Sequence, residues 1–338
     1  MLCGQKFPSC FKALPALAKR PMARITKPLR IMGADIKGKK IKSQEYAPLI
    51  INPSKELRGI NYKLPIASAQ IKSAILFASL YARGKTQITE INPCRDHSER
   101  MLSLFGARVK RKKGVIISYP AAELTSPGNI FVPSDFSSAA FFIVLGLILK
   151  DSKILIKNIN LNPTRCGLLS ALKRMGANIK IINKKNYFEP YGDILVKSSC
   201  LRGINISKEE IPLMIDEVPI LCAAASFAKG TTIISGIKEL KVKETDRINS
   251  MVYNLKQAGV KISSIKYFEN RESNWLIKIQ APQKLKTAKF KSFSDHRTAM
   301  SLIIAGTASG EEYTIDDVNC INKSFPQFIT LLESLKRE

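Results

Sequence analysis

The chain has 338 residues, more than one ordinary hydrophobic core accommodates, so two domains are expected. Apolar residues make up 45% and charged residues 24%, the balance of a soluble globular protein. Lys and Arg number 54 against 27 Asp and Glu, a formal charge of +27 that directs attention to anionic partners.

The basic residues are 38 Lys and 16 Arg, mostly single or in short groups such as Lys37, Lys39 and Lys40 around Gly38. Aromatic residues that could stack on bases are not interleaved with them, so no nucleic-acid partner is expected. A lysine-rich background that mildly favours anionic small substrates explains the charge. Seven cysteines (Cys3, Cys10, Cys94, Cys166, Cys200, Cys222, Cys320) are odd in number and scattered, without a Cys-x-x-Cys pair. This points away from a disulfide framework or a zinc site and towards a reducing, cytoplasmic setting. Lys6, Lys12, Lys19 and Arg20 interrupt the early apolar residues, so no signal peptide is expected. The longest apolar run, residues 139–149, is too short to cross a bilayer, and no membrane partner is expected.

In chain order, an amphipathic helix ends at Met32-Gly33-Ala34, and a second, alanine-containing helix is expected over 68–82. Gly84 follows that helix, then a strand over 86–90. A helix ends at Phe105-Gly106-Ala107, and a new unit begins near Pro133-Ser134, dividing the chain into domains 1–133 and 134–338. Beyond it, helices end at Met175-Gly176-Ala177 and Gln257-Ala258-Gly259, the latter followed by the β-branched stretch Val260-Lys261-Ile262. Two more alanine-containing helices, 216–228 and 298–309, lead through Gly230 and Gly310 to strands at 231–234 and 313–315. Glycine suits a helix C-terminus, and small residues let helices approach closely. The first three of the Gly-terminated helix ends lie 73 and 70 residues apart, too widely for a solenoid, and together the two recurring patterns suit a repeated α/β unit built round buried helices.

Several segments carry a resemblance. They are Lys19-Arg20-Pro21-Met22 with Pro28-Leu29, Ser68-Ala69-Gln70 with Lys72-Ser73, Lys243-Glu244-Thr245-Asp246-Arg247 and Asp295-His296-Arg297. Weaker matches are Arg95-Asp96-His97-Ser98-Glu99, Asp135-Phe136-Ser137-Ser138-Ala139, Asn162-Pro163-Thr164-Arg165 and Lys323-Ser324-Phe325-Pro326. In this order they resemble the EPSP synthase family over nearly the whole chain. The Ser-Ala-Gln form is similar to a bacterial subgroup often insensitive to glyphosate.

The resemblance implies an α/β (α+β) chain with two domains of βαβαββ units in an inverse α/β barrel-like arrangement, the first domain incomplete. It implies transfer of the enolpyruvyl group of phosphoenolpyruvate to the 5-hydroxyl of shikimate 3-phosphate, on the shikimate route to chorismate and the aromatic amino acids. No cofactor and no metal is implied, and a monomer is expected. Both substrates carry a phosphate and a carboxylate, groups that Arg clamps through paired hydrogen bonds. By resemblance, Arg20, Arg247 and Arg297 would hold phosphoenolpyruvate with help from Lys323. Ser68, Ala69, Gln70 and Arg95 would hold shikimate 3-phosphate. Addition needs a base for the hydroxyl and an acid for the methylene carbon, and elimination reverses such transfers. Asp216, Lys243 and Glu244 match the family's catalytic groups, and Asp216 is also expected to cap its helix. The only two histidines, His97 and His296, each beside an Asp, are too few for a metal centre and are expected to orient neighbours.

Three departures stand out. The family's early Lys-Ser segment and its Gly-Asn-Ala/Ser-Gly-Thr segment would precede residue 1, so the chain alone is expected to bind substrate poorly and not to turn over. Lys12-Ala13-Leu14 stands where Thr-Gly-Asp is usual, and Ser134-Asp135 where Gly-Asp is usual. The alternatives are a non-catalytic fragment that keeps the fold and the related UDP-N-acetylglucosamine enolpyruvyl transferase, which the two charged motifs disfavour.

Overall fold

A computed structural model describes residues 1–121, 123–269, 271–281 and 284–335, which divide into two compact units, Met1–Phe131 and Val132–Glu338. The first unit opens with β1 (Ser9–Phe11), α1 (Pro15–Ala18), α2 (Ala23–Ile31), β2 (Asp35–Ile41) and β3 (Gln44–Asn52). Its first sheet has the order β1-β3-β2, antiparallel throughout. Along β3 the side chains alternate, with Glu45, Ala47, Leu49 and Ile51 turned inward. Next come β4 (Leu57–Arg58), β5 (Asn61–Lys63), α3 (Ala69–Ser79), β6 (Ala82–Arg83), β7 (Thr86–Thr89), α4 (His97–Leu104), β8 (Val109–Lys112) and β9 (Val115–Ser118). Here the sheet order is β5-β7-β9-β8, with β5 and β7 parallel across α3.

The second unit repeats the theme. It begins with α5 (Phe136–Ile148), β10 (Lys153–Asn160), α6 (Gly167–Arg174), β11 (Asn178–Lys185) and β12 (Tyr191–Lys197), in the sheet order β10-β12-β11. Then follow β13 (Asn205–Ile206), α7 (Val218–Ala225), β14 (Thr231–Ser235), α8 (Arg247–Gln257), β15 (Lys261–Glu269) and β16 (Glu272–Gln280). Their order β13-β14-β16-β15, with β13 and β14 parallel, copies that of β5-β7-β9-β8. The chain continues with β17 (Ala288–Phe290), α9 (His296–Ser309), β18 (Tyr313–Ile315) and α10 (Phe328–Ser334), with β17 and β18 parallel.

The two recurring sequence patterns have separate physical causes. After α2, α4, α6 and α8, the glycines Gly33, Gly106, Gly176 and Gly259 take positive φ between 83° and 98°. The next residue then donates its N–H back to a leucine carbonyl: Ala34 to Leu29, Ala107 to Leu102, Ala177 to Leu172 and Val260 to Leu255, each within 2.9–3.0 Å. This is the glycine-terminated motif that satisfies a helix's last carbonyls, and it turns each outer helix into the following strand. Three other helices, α5, α7 and α9, are largely buried and pack on one another at the centre of the second unit. The 139–149 run therefore forms most of the core helix α5 and ends on its C-cap Leu149. Among the described residues no helix is long and apolar enough to cross a membrane. Gly306 lets α9 approach β18, because a Cβ there would come within 2.5 Å of the Tyr313 ring.

Several helix boundaries differ from expectation, among them the end of the 216–228 helix at Ala225 and the start of the 298–309 helix at His296. The helix expected over 68–82 stops at Ser79, and Ala82–Arg83 instead pairs with Leu57–Arg58. The helix expected from residue 216 begins at Val218, with Pro219 in the first turn where its missing N–H costs nothing.

Candidate active site

The second unit gathers its charged motifs at the starts of its helices. Asp216 lies in the 3-10 turn Ile215–Glu217, just before α7. It does not cap that helix; Glu217 holds the cap position without a side-chain capping bond. Lys243 follows the 3-10 turn Lys238–Val242, and Arg247 is the first residue of α8, whose N-cap is Asp246. Asp295 caps α9, its carboxylate accepting the N–H groups of Arg297 at 2.8 Å and Thr298 at 3.2 Å.

Three cations meet at Asp216. One carboxylate oxygen lies 3.4 Å from Lys243 Nζ and 3.5 Å from Arg247 Nη1. The other is 3.9 Å from Arg297 Nη2, and Arg297 Nη1 donates to the Asp216 carbonyl at 3.1 Å. Arg247, its side chain 1% exposed, also donates through Nε to Asp295 at 2.8 Å and through Nη2 to Glu244 at 2.6 Å. Lys243 and Arg297 are more open, at 26% and 17%. Buried Glu217 accepts from Arg165 Nη1 at 3.2 Å and from the Ser137 hydroxyl, and stands 3.6 Å from Arg297. Burial alone would lower the Arg165 guanidinium's pKa, but Glu217, Asp135 and Asp216 reverse that and hold it charged. Burial pushes the His296 imidazole down, Arg297 and Arg247 add to the shift, and Asp295 and Glu244 oppose it.

In this unit Asp216, Lys243, Glu244, Arg247 and Arg297 are thus brought together, as an ion network joined to the starts of α7, α8 and α9. Helix N-termini carry partial positive charge, which adds to the anion-attracting character of the cations. Lys323 lies elsewhere: it is exposed at the end of the 3-10 turn Asn319–Lys323 packed on α9. Among the described residues no hydrogen bond or ion pair joins it to the network. Sequence reasoning missed Arg165, Glu217 and Ser137 as network members. The weak Asn-Pro-Thr-Arg and Asp-Phe-Ser-Ser matches were the available signal.

The first unit holds the remaining candidates. Ser68 caps α3, its hydroxyl accepting Ile71 N–H at 3.5 Å; Ala69 and Gln70 follow in the first turn, and Gln70 is exposed. Arg95 is half-buried just before α4. Fully buried Lys72 links these pieces, its ammonium 2.8 Å from Glu90 and 2.6 Å from Glu99 on α4. Burial would lower Lys72, but its carboxylate partners raise its pKa above the ordinary lysine value. Ser73 and Ser98, with hydroxyls 2.6 Å apart, tie the same two helix starts. Arg20 is half-buried in the turn between α1 and α2. That segment is anchored by Met22 N–H on the Glu45 carbonyl at 2.7 Å, while Thr26 and Arg30 hold the Glu45 carboxylate.

Comparison with known proteins bears on this arrangement. A family model described as EPSP synthase (3-phosphoshikimate 1-carboxyvinyltransferase) matches residues 1–332. A relative from Petrotoga mobilis named 3-phosphoshikimate 1-carboxyvinyltransferase is 45% identical over 338 residues, covering 99% of this chain and 76% of the relative. One of the same name from Thermodesulfovibrio yellowstonii is 44% identical, covering 100% of this chain and 76% of its own length. A solved EPSP synthase from Acinetobacter baumannii matches with a TM-score of 0.85 at 40% identity, over 99% of this chain and 75% of that one. With a matching family model, relatives that match 99–100% of this chain over about three quarters of their own length, and repeated βαβαββ sheets, this chain belongs to the EPSP synthase family.

Proposed function

We propose that the chain takes part in transfer of the enolpyruvyl group from phosphoenolpyruvate to shikimate 3-phosphate, in aromatic amino-acid biosynthesis. The observation that carries the reading is the meeting of Lys243, Arg247 and Arg297 at Asp216, beside the N-terminus of α9. A phosphate and a carboxylate on one small molecule need several cations at short range, and this network supplies them. Arg297 and Lys243, the more exposed of the three, are the groups that meet the phosphoenolpyruvate oxyanions first. Arg247 is braced by Asp295 and Glu244 and offers Nη1 alone. Arg20 is the remaining phosphoenolpyruvate contact, and Lys323 assists only after moving towards the network. Ser68, Ala69, Gln70 and Arg95 are the shikimate 3-phosphate contacts, held in register by Lys72.

Asp216 and Lys243, 3.4 Å apart, form a proton-transfer pair, and Glu244 is the second carboxylate at hand. In the addition, one group takes the 5-hydroxyl proton as that oxygen bonds to the middle carbon of phosphoenolpyruvate, while another protonates the methylene carbon. In the elimination, a proton leaves the new methyl group as the C–O bond to phosphate breaks and phosphate departs. The test is calorimetric titration with phosphoenolpyruvate, shikimate 3-phosphate and both together, with phosphate release followed in the same mixtures. Weak binding of phosphoenolpyruvate is expected, lowered about tenfold to a hundredfold further by Arg297→Ala, the worth of one hydrogen bond to a charged group. Release of phosphate with shikimate 3-phosphate, and not with UDP-N-acetylglucosamine, supports the reading. Binding without release favours a non-catalytic role, and no binding by a folded chain overturns the proposal.

A further inference from the structure

Lys243 and Glu244 sit in a short irregular link between the 3-10 turn Lys238–Val242 and α8. Groups that act on a substrate must be held within a fraction of an ångström, and an irregular link does not do that alone. Here both ends of the link are tied together. The Lys241 ammonium lies 2.7 Å from an Asp246 carboxylate oxygen and 4.0 Å from the centroid of the Trp275 ring. Asp246 is fixed in turn, because it caps α8 through the Asn249 N–H at 3.1 Å and accepts from the Asn249 side chain at 2.9 Å. Trp275 is fixed on β16, where its carbonyl accepts the Ile237 N–H at 3.2 Å. Neighbouring Asn274 accepts the N–H of Lys238 at 3.2 Å. The ammonium thus closes a ring around Val242, Lys243, Glu244 and Thr245, and that ring rests on the face of an indole.

We infer that Lys241, Trp275 and Asp246 form a clamp that positions Lys243 and Glu244 against Asp216 and Arg247. Among the described residues none of the three bonds the Asp216 carboxylate, so they act through the link and are positioning residues. The inference rests on the proposed role of Lys243 and Glu244 in holding and converting phosphoenolpyruvate. Its geometric content is independent of that role. Trp275 is the only tryptophan in the chain, so its emission reports on the clamp without a label.

The experiment uses the whole 338-residue chain and its Lys241→Met, Lys241→Arg and Trp275→Leu variants. Hydrogen exchange of the 242–246 amides is measured first, without ligand. Lys241→Met and Trp275→Leu are expected to speed exchange there about threefold to tenfold, the worth of one partly exposed cation–π contact. Lys241→Arg, which keeps a cation over the ring and on the carboxylate, is expected to restore protection. Calorimetry with phosphoenolpyruvate should then show a loss of similar size in Lys241→Met and rescue in Lys241→Arg. The urea midpoint should barely move, since a half-exposed pair adds little to global stability. Exchange unchanged in Lys241→Met overturns the clamp. Failure of the wild-type chain to bind phosphoenolpyruvate overturns the functional reading instead, and the exchange data still judge the clamp.

Discussion

Replacing Arg247 by methionine tests whether the network is held together by its buried guanidinium. Methionine keeps much of the aliphatic volume and removes only the charge and its donors. Three carboxylates lose a partner, but unequally. Glu244 is 37% exposed and turns to water, and Asp216 keeps Lys243 and Arg297. Asp295 is 0% exposed, and the oxygen that faced Arg247 Nε at 2.8 Å is left in the protein interior. Breaking a buried ion pair from one side costs about 3–5 kcal/mol, because the other charge stays behind uncompensated. The second half of the test is Asp295→Asn. Asparagine caps a helix about as well as aspartate but carries no charge to strand. The double variant Arg247→Met/Asp295→Asn should therefore be more stable than Arg247→Met alone, with a coupling of about 2 kcal/mol or more. Urea unfolding followed by the emission of Trp275, which lies in the same unit, measures both quantities. A cost below about 1 kcal/mol for Arg247→Met, or a cycle without coupling, would refute the reasoning.

Other outcomes follow from the same geometry. Asp216→Asn removes the carboxylate that Lys243, Arg247 and Arg297 share, so inorganic phosphate and phosphoenolpyruvate should bind about tenfold more tightly while any phosphate release is lost; calorimetry and release assays check both. Lys72→Met strands Glu99 in the first unit, while Glu90 keeps Arg111, and should cost about 3–5 kcal/mol, with Lys72→Met/Glu99→Gln recovering part of it in urea unfolding read by far-UV dichroism. His296 has its pKa lowered by burial, so below pH 6.5 the unfolded chain binds more protons at this site than the folded one. Stability should therefore fall as pH drops through that range, and the urea midpoint of His296→Gln should change less than the wild type's between pH 7.5 and 5.5.

Much of the fold was legible because its signals are local. Gly33, Gly106, Gly176 and Gly259 mark helix ends for the same reason in all four places: only glycine takes that positive φ freely. The leucine four residues before each glycine, which receives the returning N–H of the residue after the glycine, belongs to the same signature and was overlooked. Ser68, Asp246 and Asp295 each stand one residue before a helix and do cap it. Asp216 was expected to do likewise and does not, because Pro219 sets the helix start and leaves residues 215–217 in a tighter turn.

What local signals could not reach are the pairings across the chain. Glu217 meets Arg165 and Ser137 at sequence separations of 52 and 80 residues, and no periodicity or cap motif in either partner announces the meeting. The consequence for the site is electrostatic. Lys243, Arg247 and Arg297 read from sequence as cations waiting for a substrate, and Arg165 has no role assigned there. In the fold, Glu217, Asp216, Glu244 and Asp295 already stand against them, so the net charge of the network is near zero. Affinity for an anionic ligand is then set by how easily its oxygens replace Asp216 as the shared acceptor, and the chain's overall +27 has little part in it. The distances rank the cations for that exchange. Arg297 Nη2 and Arg247 Nη1, at 3.9 and 3.5 Å from Asp216, hold their carboxylate loosely, whereas Arg247 Nε and Nη2, at 2.8 and 2.6 Å, do not let go. On the proposed role, an incoming phosphate is expected to engage the loose donors and leave the braced ones in place, which would keep the starts of α8 and α9 fixed while the site fills.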